Sequence, residues 1–228
     1  AGHVKVVLSG EGADELFGGY NIYREPESLK KIAWIPFGVR RVIGKLAAKL
    51  PDVKGRDFLI RAGMKVEERF IGNAYIYREK EKAQILKNKV TGPSTQEYLR
   101  PFFKELESEN RGSLRDMEKM QSVDLRYWLP GDILQKADKM SMAHSLEVRV
   151  PFLDKEVFDF AAKLPKEAKI AAGTTKYIFR KAVSEFLPQE TDERRKLGFP
   201  IPIRVPPGAG QRHSHARRLG SAAPGKSA

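Results

Sequence analysis

VKVVLSGEGADELFGGY, running from Val4 to Tyr20, is an apolar run that breaks into a glycine loop carrying acids. Val4 to Leu8 is β-branched or apolar at every position but Lys5, the composition of a strand buried on both faces of a parallel sheet. Ser9-Gly10-Glu11-Gly12 ends that strand: two glycines in three positions permit positive φ and let the backbone approach a ligand closely. Ala13-Asp14-Glu15-Leu16-Phe17 then reads as a first helical turn. A strand, a glycine loop and a helix N-terminus make a place where backbone N–H groups and the helix dipole converge on an anion. Glu11 and Asp14 stand at its mouth. Carboxylates repel a bare phosphate, so one reading has one of them hold Mg²⁺, which prefers oxygen ligands and bridges to phosphates. The loop would then hold a nucleotide through its metal. The other reading is an ordinary strand-to-helix turn whose acids complement the dipole. Spacing alone is compatible with both.

Working outward, the whole chain has 228 residues, 41% of them apolar, enough for one principal domain with a single good-sized core. No apolar run approaches the roughly 20 residues needed to span a bilayer, and the N-terminus lacks a basic-then-apolar signal pattern, so a cytoplasmic protein is expected. The absence of cysteine excludes disulfides, thiolate metal sites and a cysteine nucleophile. A formal charge of +13 raises the question of nucleic acid, but five of the 42 basic residues and no acid lie from Arg204 onward. In the remainder the signs alternate, as in Arg78-Glu79-Lys80-Glu81-Lys82, the pattern of a solvated helix face rather than of a binding stripe.

Helical spacing recurs along the chain. Val39, Val42, Ile43, Leu46, Ala47 and Leu50 form one helix between Pro36 and Pro51; Leu59, Ala62, Val66 and Phe70 mark a second; a charged third runs to about Lys89. Ser94-Thr95-Gln96-Glu97 has capping-box spacing before a helix carrying Tyr98, Phe102 and Leu106. Ser113 repeats the signal for a long helix through Met117, Met120, Asp124 and Trp128, whose Met and aromatic stripe suits a core, and Pro130 should break it. After it, Lys136 and Lys139 share roughly one helix face, with Asp132 and Asp138 elsewhere; the face is either solvated or turned to phosphate or a substrate carboxylate. Arg149 lies in the apolar run Val148 to Phe152 and should reach a carboxylate, Glu147 or Asp154, or a ligand. His144 has no second histidine at metal spacing and suits a structural hydrogen bond. Asp154 can cap a helix through Val157, Phe160, Ala161 and Leu164. Lys176 sits in the first turn of the next helix, where a cation opposes the dipole, which marks it as a ligand candidate. Arg194-Arg195-Lys196 is a solvated run or a lid over phosphates, and from Val205 the composition is that of a basic disordered tail.

Four segments, SGEGADELFGGY (Ser9–Tyr20), LQKADKMSMAHSLEVRVPFLD (Leu134–Asp154), TTKYIFRKA (Thr174–Ala182) and RRKLGFPIPI (Arg194–Ile203), together resemble the synthetase domain of the glutamine-hydrolysing asparagine synthetases, in that family's order. The resemblance implies an α/β fold of the adenine-nucleotide α-hydrolase (ATP-pyrophosphatase) type, mostly helical over this stretch. It implies ATP-dependent conversion of aspartate to asparagine through a β-aspartyl-AMP, with ammonia from glutamine. Carried over by motif, Ser9, Gly10 and Gly12 would contact the nucleotide, Glu11 would act at the adenylation and ammonia steps, Asp14 would bind Mg²⁺ and Lys176 would hold phosphate oxygens. Lys136 and Arg149 match positions near the nucleotide.

The chain departs from the family pattern in two ways. It has no cysteine to serve as the glutaminase nucleophile, and no SGGxDS pyrophosphate loop. The expectation is a partial synthetase domain over 1–204, with 205–228 as tail, that holds half of the site and does not make asparagine alone. Its partners would be a missing N-terminal glutaminase part or a second copy, and an exposed apolar edge beside Val4–Leu8 is expected. A relative that activates another carboxylate, as in β-lactam formation, and a basic nucleic-acid-binding module are the competing readings.

Overall fold

The computed structural model describes residues 2–51, 53–73, 84–86, 92–110 and 114–188. Two units are distinguished, Ala1–Leu187 and Pro188–Ala228, and every element named below belongs to the first. The charged segment ending near Lys89 falls largely outside the described residues; the Arg194–Lys196 loop, the RRKLGFPIPI match and the 205–228 tail fall wholly outside them.

β1 (Val6–Leu8) runs parallel to β2 (Glu147–Arg149), with Val7 opposite Val148. The sequence therefore locates the strand but overstates it. It is three residues long, Val6 is 40% and Leu8 74% exposed, and only Val7 turns inward. Val6 and Leu8 project from one face and Val7 from the other, so burial on both faces fails because the Val6 and Leu8 face is left open. A second small pair, β3 (Ile170–Ala171) with antiparallel β4 (Thr174–Thr175), turns through Gly173 at φ +73.

The rest is helical. α1 (Ala13–Phe17) follows β1, then a 3₁₀ turn (Asn21–Arg24) and α2 (Glu25–Lys30). α3 (Phe37–Ala47) crosses α4 (Arg56–Ala62) on small residues: a Cβ at Gly44 would lie 3.1 Å from the Leu59 carbonyl, and one at Gly63 would lie 2.6 Å from that of Arg40. Glycines thus permit the close approach, and the Val39, Val42, Leu46 stripe faces outward rather than into the core. The expected Leu59–Phe70 helix is broken. It stops at Gly63, and α5 (Val66–Arg69) restarts with the Glu68 carboxylate accepting the Lys65 amide at 2.8 Å.

α6 (Thr95–Glu109) begins as expected: Ser94 donates its amide to Glu97 Oε2 at 2.7 Å, and Glu97 donates its own to Ser94 Oγ at 3.3 Å. Its buried residues are Leu99 and Phe103, one step round from the expected Tyr98 and Phe102. α7 (Asp116–Val123) is capped at Arg115 by Glu118. Pro130 does not break the helical path. A π-helical segment, Asp124–Leu134, carries the chain through it into α8 (Gln135–Met142). Bonding five residues back relaxes the clash between a proline ring and the carbonyl four back. A 3₁₀ turn (Pro151–Leu153), α9 (Lys155–Lys163, capped by Asp154), α10 (Lys166–Lys169) and α11 (Tyr177–Val183) complete the unit.

Two apolar clusters hold these elements. One gathers Tyr23, Val66, Phe70, Leu99, Phe103, Met117, Met120 and Val123, so the Met stripe is core as expected. The other packs Leu16 and Phe17 of α1 on Ala161, with Phe17 5.3 Å from the ring of Phe179. Each such buried side chain contributes about 2 kcal/mol. α1 is therefore anchored by its apolar face, which leaves Asp14 at the loop side while Glu15 is buried.

Candidate functional site

The loop leaves the sheet alongside β2: the Ser9 amide donates to the Arg149 carbonyl at 2.8 Å. Gly12 takes φ +88, and a Cβ there would press on Leu153, so backbone and packing both demand glycine. Gly10 differs. A Cβ built on it meets nothing within 4 Å, the open surface that a ligand-contacting glycine presents. α1 has only five residues, so its dipole is weak and the electrostatics of the loop rest on side chains.

Lys176 supplies the first of these. It occupies the N-cap of α11, not its first turn, with φ +53 in the left-handed region. From there its Nζ lies 3.0 Å from Asp14 Oδ1, the two side chains 22% and 25% exposed. Gly19 makes room for the pair, since a Cβ on it would run into the Asp14 carboxylate and the Lys176 side chain. Glu11, half-buried in the turn, completes the acidic rim. Ser9, Gly10, Glu11, Gly12, Asp14 and Lys176 thus share one place.

The other expected residues stand apart from it. Arg149 lends its backbone carbonyl, while its guanidinium donates to Glu147 Oε1 at 2.8 Å on the exposed face of β2, one of the carboxylates the sequence offered. Lys136 is exposed and lies 3.7 Å from Asp132 Oδ2. The sequence placed those two on different faces; four residues apart, they share one across the change from π to α winding. Among the described residues nothing links Lys136 to the loop. His144 Nδ1 meets the Met140 carbonyl at 3.0 Å, a structural role as expected.

Beneath the loop lies a polar layer that pattern reading misses. Glu15, buried, accepts from the Tyr20 hydroxyl at 2.7 Å, and burial pushes its carboxyl up. Asp124, also buried, accepts from Tyr23 Oη at 2.6 Å and from the Asn73 amide and side chain at 3.0 and 2.6 Å; burial pushes it up to about 6 despite these donors. The one cue was at Asp124, an acid set between Val123 and Leu125. No group of three or more His, Cys, Asp or Glu side chains able to hold a metal exists among the described residues. A lysine paired with one carboxylate beside a glycine turn can bind a polyanion directly and, through Asp14, by way of a cation.

Residues 1–228 match the family model for asparagine synthase. The chain belongs to the asparagine synthase family. It is similar to asparagine synthetase [glutamine-hydrolyzing] 1 of Bacillus subtilis, 51% identical over 203 residues that cover 89% of this chain and 31% of that protein. It is likewise similar to a protein of Mycobacterium tuberculosis named putative asparagine synthetase [glutamine-hydrolyzing], 46% identical over 89% of this chain and 30% of that protein. The chain therefore spans about a third of the length of these relatives. No solved structure matches it significantly. The family match and the mostly helical architecture agree with an α/β synthetase domain.

Proposed function

We propose that this chain, over 1–204, is part of the synthetase domain of a glutamine-hydrolysing asparagine synthetase, with the adenine-nucleotide α-hydrolase fold and 205–228 as a basic tail. The observation that carries the reading is the Asp14–Lys176 pair, which unites two separately matched segments beside the Ser9–Gly12 turn. In the reaction, a carboxylate oxygen of aspartate attacks the α-phosphorus of ATP and the bond to pyrophosphate breaks. Ammonia then attacks the acyl carbon, AMP leaves with the oxygen, and the nitrogen sheds a proton. Ser9, Gly10 and Gly12 contact the nucleotide. Lys176 holds the leaving pyrophosphate oxygens, where a preplaced cation stabilises developing charge. Glu11 accepts the proton, a task suited to a carboxylate on the rim. Lys136 of α8 and Arg149 of β2 are assigned to the nucleotide by their place in the matched segment alone, since their side chains stand apart from the loop.

The residues fit Mg²⁺: Asp14 already faces a cation, and Asp14 with Glu11 offers the one or two carboxylates that Mg²⁺ uses when phosphates complete its shell. When bound, the metal would neutralise charge on the α-phosphate and the pyrophosphate. Aspartate, ATP and ammonia from glutamine are the proposed substrates, a glutaminase part or a second copy the proposed partner, and the cytoplasm the proposed location. No helix among the described residues is long and apolar enough to cross a membrane.

Equilibrium dialysis with Mg·ATP tests the reading. The chain is expected to bind ATP, Lys176→Met to lose at least tenfold in affinity, and the chain alone to release no pyrophosphate on adding aspartate. An unmodified chain that takes up no nucleotide sinks the assignment.

A further inference from the structure

Helices shorter than about 12 residues are marginal in water, so five-residue α1 cannot hold its own shape, yet it carries Asp14 and follows Glu11. Its terminal carbonyls need partners from elsewhere. Gly19 donates its amide to the Asp14 carbonyl at 2.7 Å. The next two carbonyls, of Glu15 and Leu16, are both taken by the side-chain amide of Gln121, which reaches across from α7; the Leu16 bond is 3.2 Å long. Gln121 is 4% exposed, and both of its N–H bonds are used in this way.

Its other end is also held. Lys169 of α10, 7% exposed, donates from Nζ to Gln121 Oε1 at 3.4 Å. An ammonium has donors only, so it admits just one orientation of the amide: Oε1 toward Lys169 and Nε2 toward α1. Lysine is seldom buried without a carboxylate against it, and among the described residues no ion pair accounts for Lys169. Burial lowers its pKa, with Glu118 opposing from a distance. A position that costs stability is explained when it fixes something else.

We propose that Gln121, oriented by Lys169, is a positioning residue for the loop: its amide clamps the C-terminal carbonyls of α1 and so fixes where Asp14 and Glu11 stand. The consequence for binding rests on the reading of Asp14 as the cation-holding carboxylate; the clamp itself does not.

The test uses the full chain with Gln121→Met, which keeps the length but removes the donors, Lys169→Met, which leaves the amide unoriented, and Val66→Ala as a cavity control in the other apolar cluster. Two readouts are taken: amide hydrogen exchange at Leu16 to Gly19, and Mn²⁺ affinity by titration. Gln121→Met is expected to speed exchange at those amides and to weaken Mn²⁺ at least tenfold, with Lys169→Met changing both less. Val66→Ala should leave both within about twofold at a comparable loss in thermal midpoint. Unchanged exchange in Gln121→Met and Lys169→Met overturns the clamp. Faster exchange with unchanged Mn²⁺ affinity, or an equal loss in Val66→Ala, overturns the positioning role. If the unmodified chain binds no Mn²⁺, the Asp14 reading falls and the positioning role with it, while exchange still decides the clamp. Should Gln121→Met fail to fold, Lys169→Met decides both.

Discussion

Lys176 Nζ stands 3.0 Å from Asp14 Oδ1, so the lysine that caps α11 closes over the carboxylate that begins α1. One carboxylate oxygen cannot serve an ammonium and a divalent cation equally, and the two should compete. Lys176→Met is therefore expected to tighten Mn²⁺ binding several-fold in the absence of nucleotide, the opposite of its effect on ATP. Paramagnetic titration of the two proteins reads this directly, and an unchanged or weaker Mn²⁺ affinity excludes competition.

The same residue makes a second prediction, about stability. A partly exposed ion pair contributes under about 1 kcal/mol. Holding a non-glycine residue at φ +53 costs about 1 kcal/mol or more. Lys176→Gly should thus be more stable than Lys176→Met by about 1 kcal/mol, although both lose the ion pair. Urea denaturation of the two variants gives the comparison, and equal midpoints would mean that the backbone there carries no strain.

The glycines of the loop should separate by role. Gly10→Ala meets open space and is expected to change stability by less than about 0.5 kcal/mol while reducing ATP affinity. Gly12→Ala forces a side chain to φ +88 against Leu153, and its main effect should be a stability loss of more than about 1 kcal/mol. Gly19→Ala pushes the Asp14–Lys176 pair apart and should damage binding and stability together. Thermal melts beside nucleotide titrations sort the three, and a Gly10→Ala protein that binds ATP normally argues against backbone contact at that position.

Legibility in the sequence tracked the range of each interaction. Ser94 with Glu97, Asp154 as a cap and the β1-to-α1 loop are local, and they were readable because three or four residues determine them. β2 was not: the alternation of Glu147-Val148-Arg149 is only three residues long, too short to stand out, and its pairing partner lies far away in sequence. At α3 the helix was readable from its spacing, but its buried side was not. Periodicity identifies a helix but not which side another helix's glycines admit, and Gly44 and Gly63 chose the side. At the site, Asp14 and Lys176 were each marked as candidates, yet the contact between them, the left-handed turn that makes it and the Gln121 clamp beneath are tertiary facts.

Asp124 gives the pH prediction. Burial raises its pKa from the ordinary 3.8 to about 6, so the folded chain holds this proton more tightly than the unfolded chain does. Its contribution is present in full below about 3.8 and is lost as pH rises through about 6, a span worth roughly 3 kcal/mol. Most surface carboxylates act in the other direction, so the term must be isolated by difference. Asp124→Asn removes the titration, keeps an oxygen for the Tyr23 hydroxyl and sets its new amide against a donor of Asn73. The variant should be the less stable protein at pH 4.5. As the pH rises to 7 the gap to the unmodified chain should shrink by about 2 kcal/mol, because only the unmodified chain loses its proton. Urea denaturation at the two pH values measures the gap, and a difference that stays constant or widens would show that Asp124 is ionised throughout.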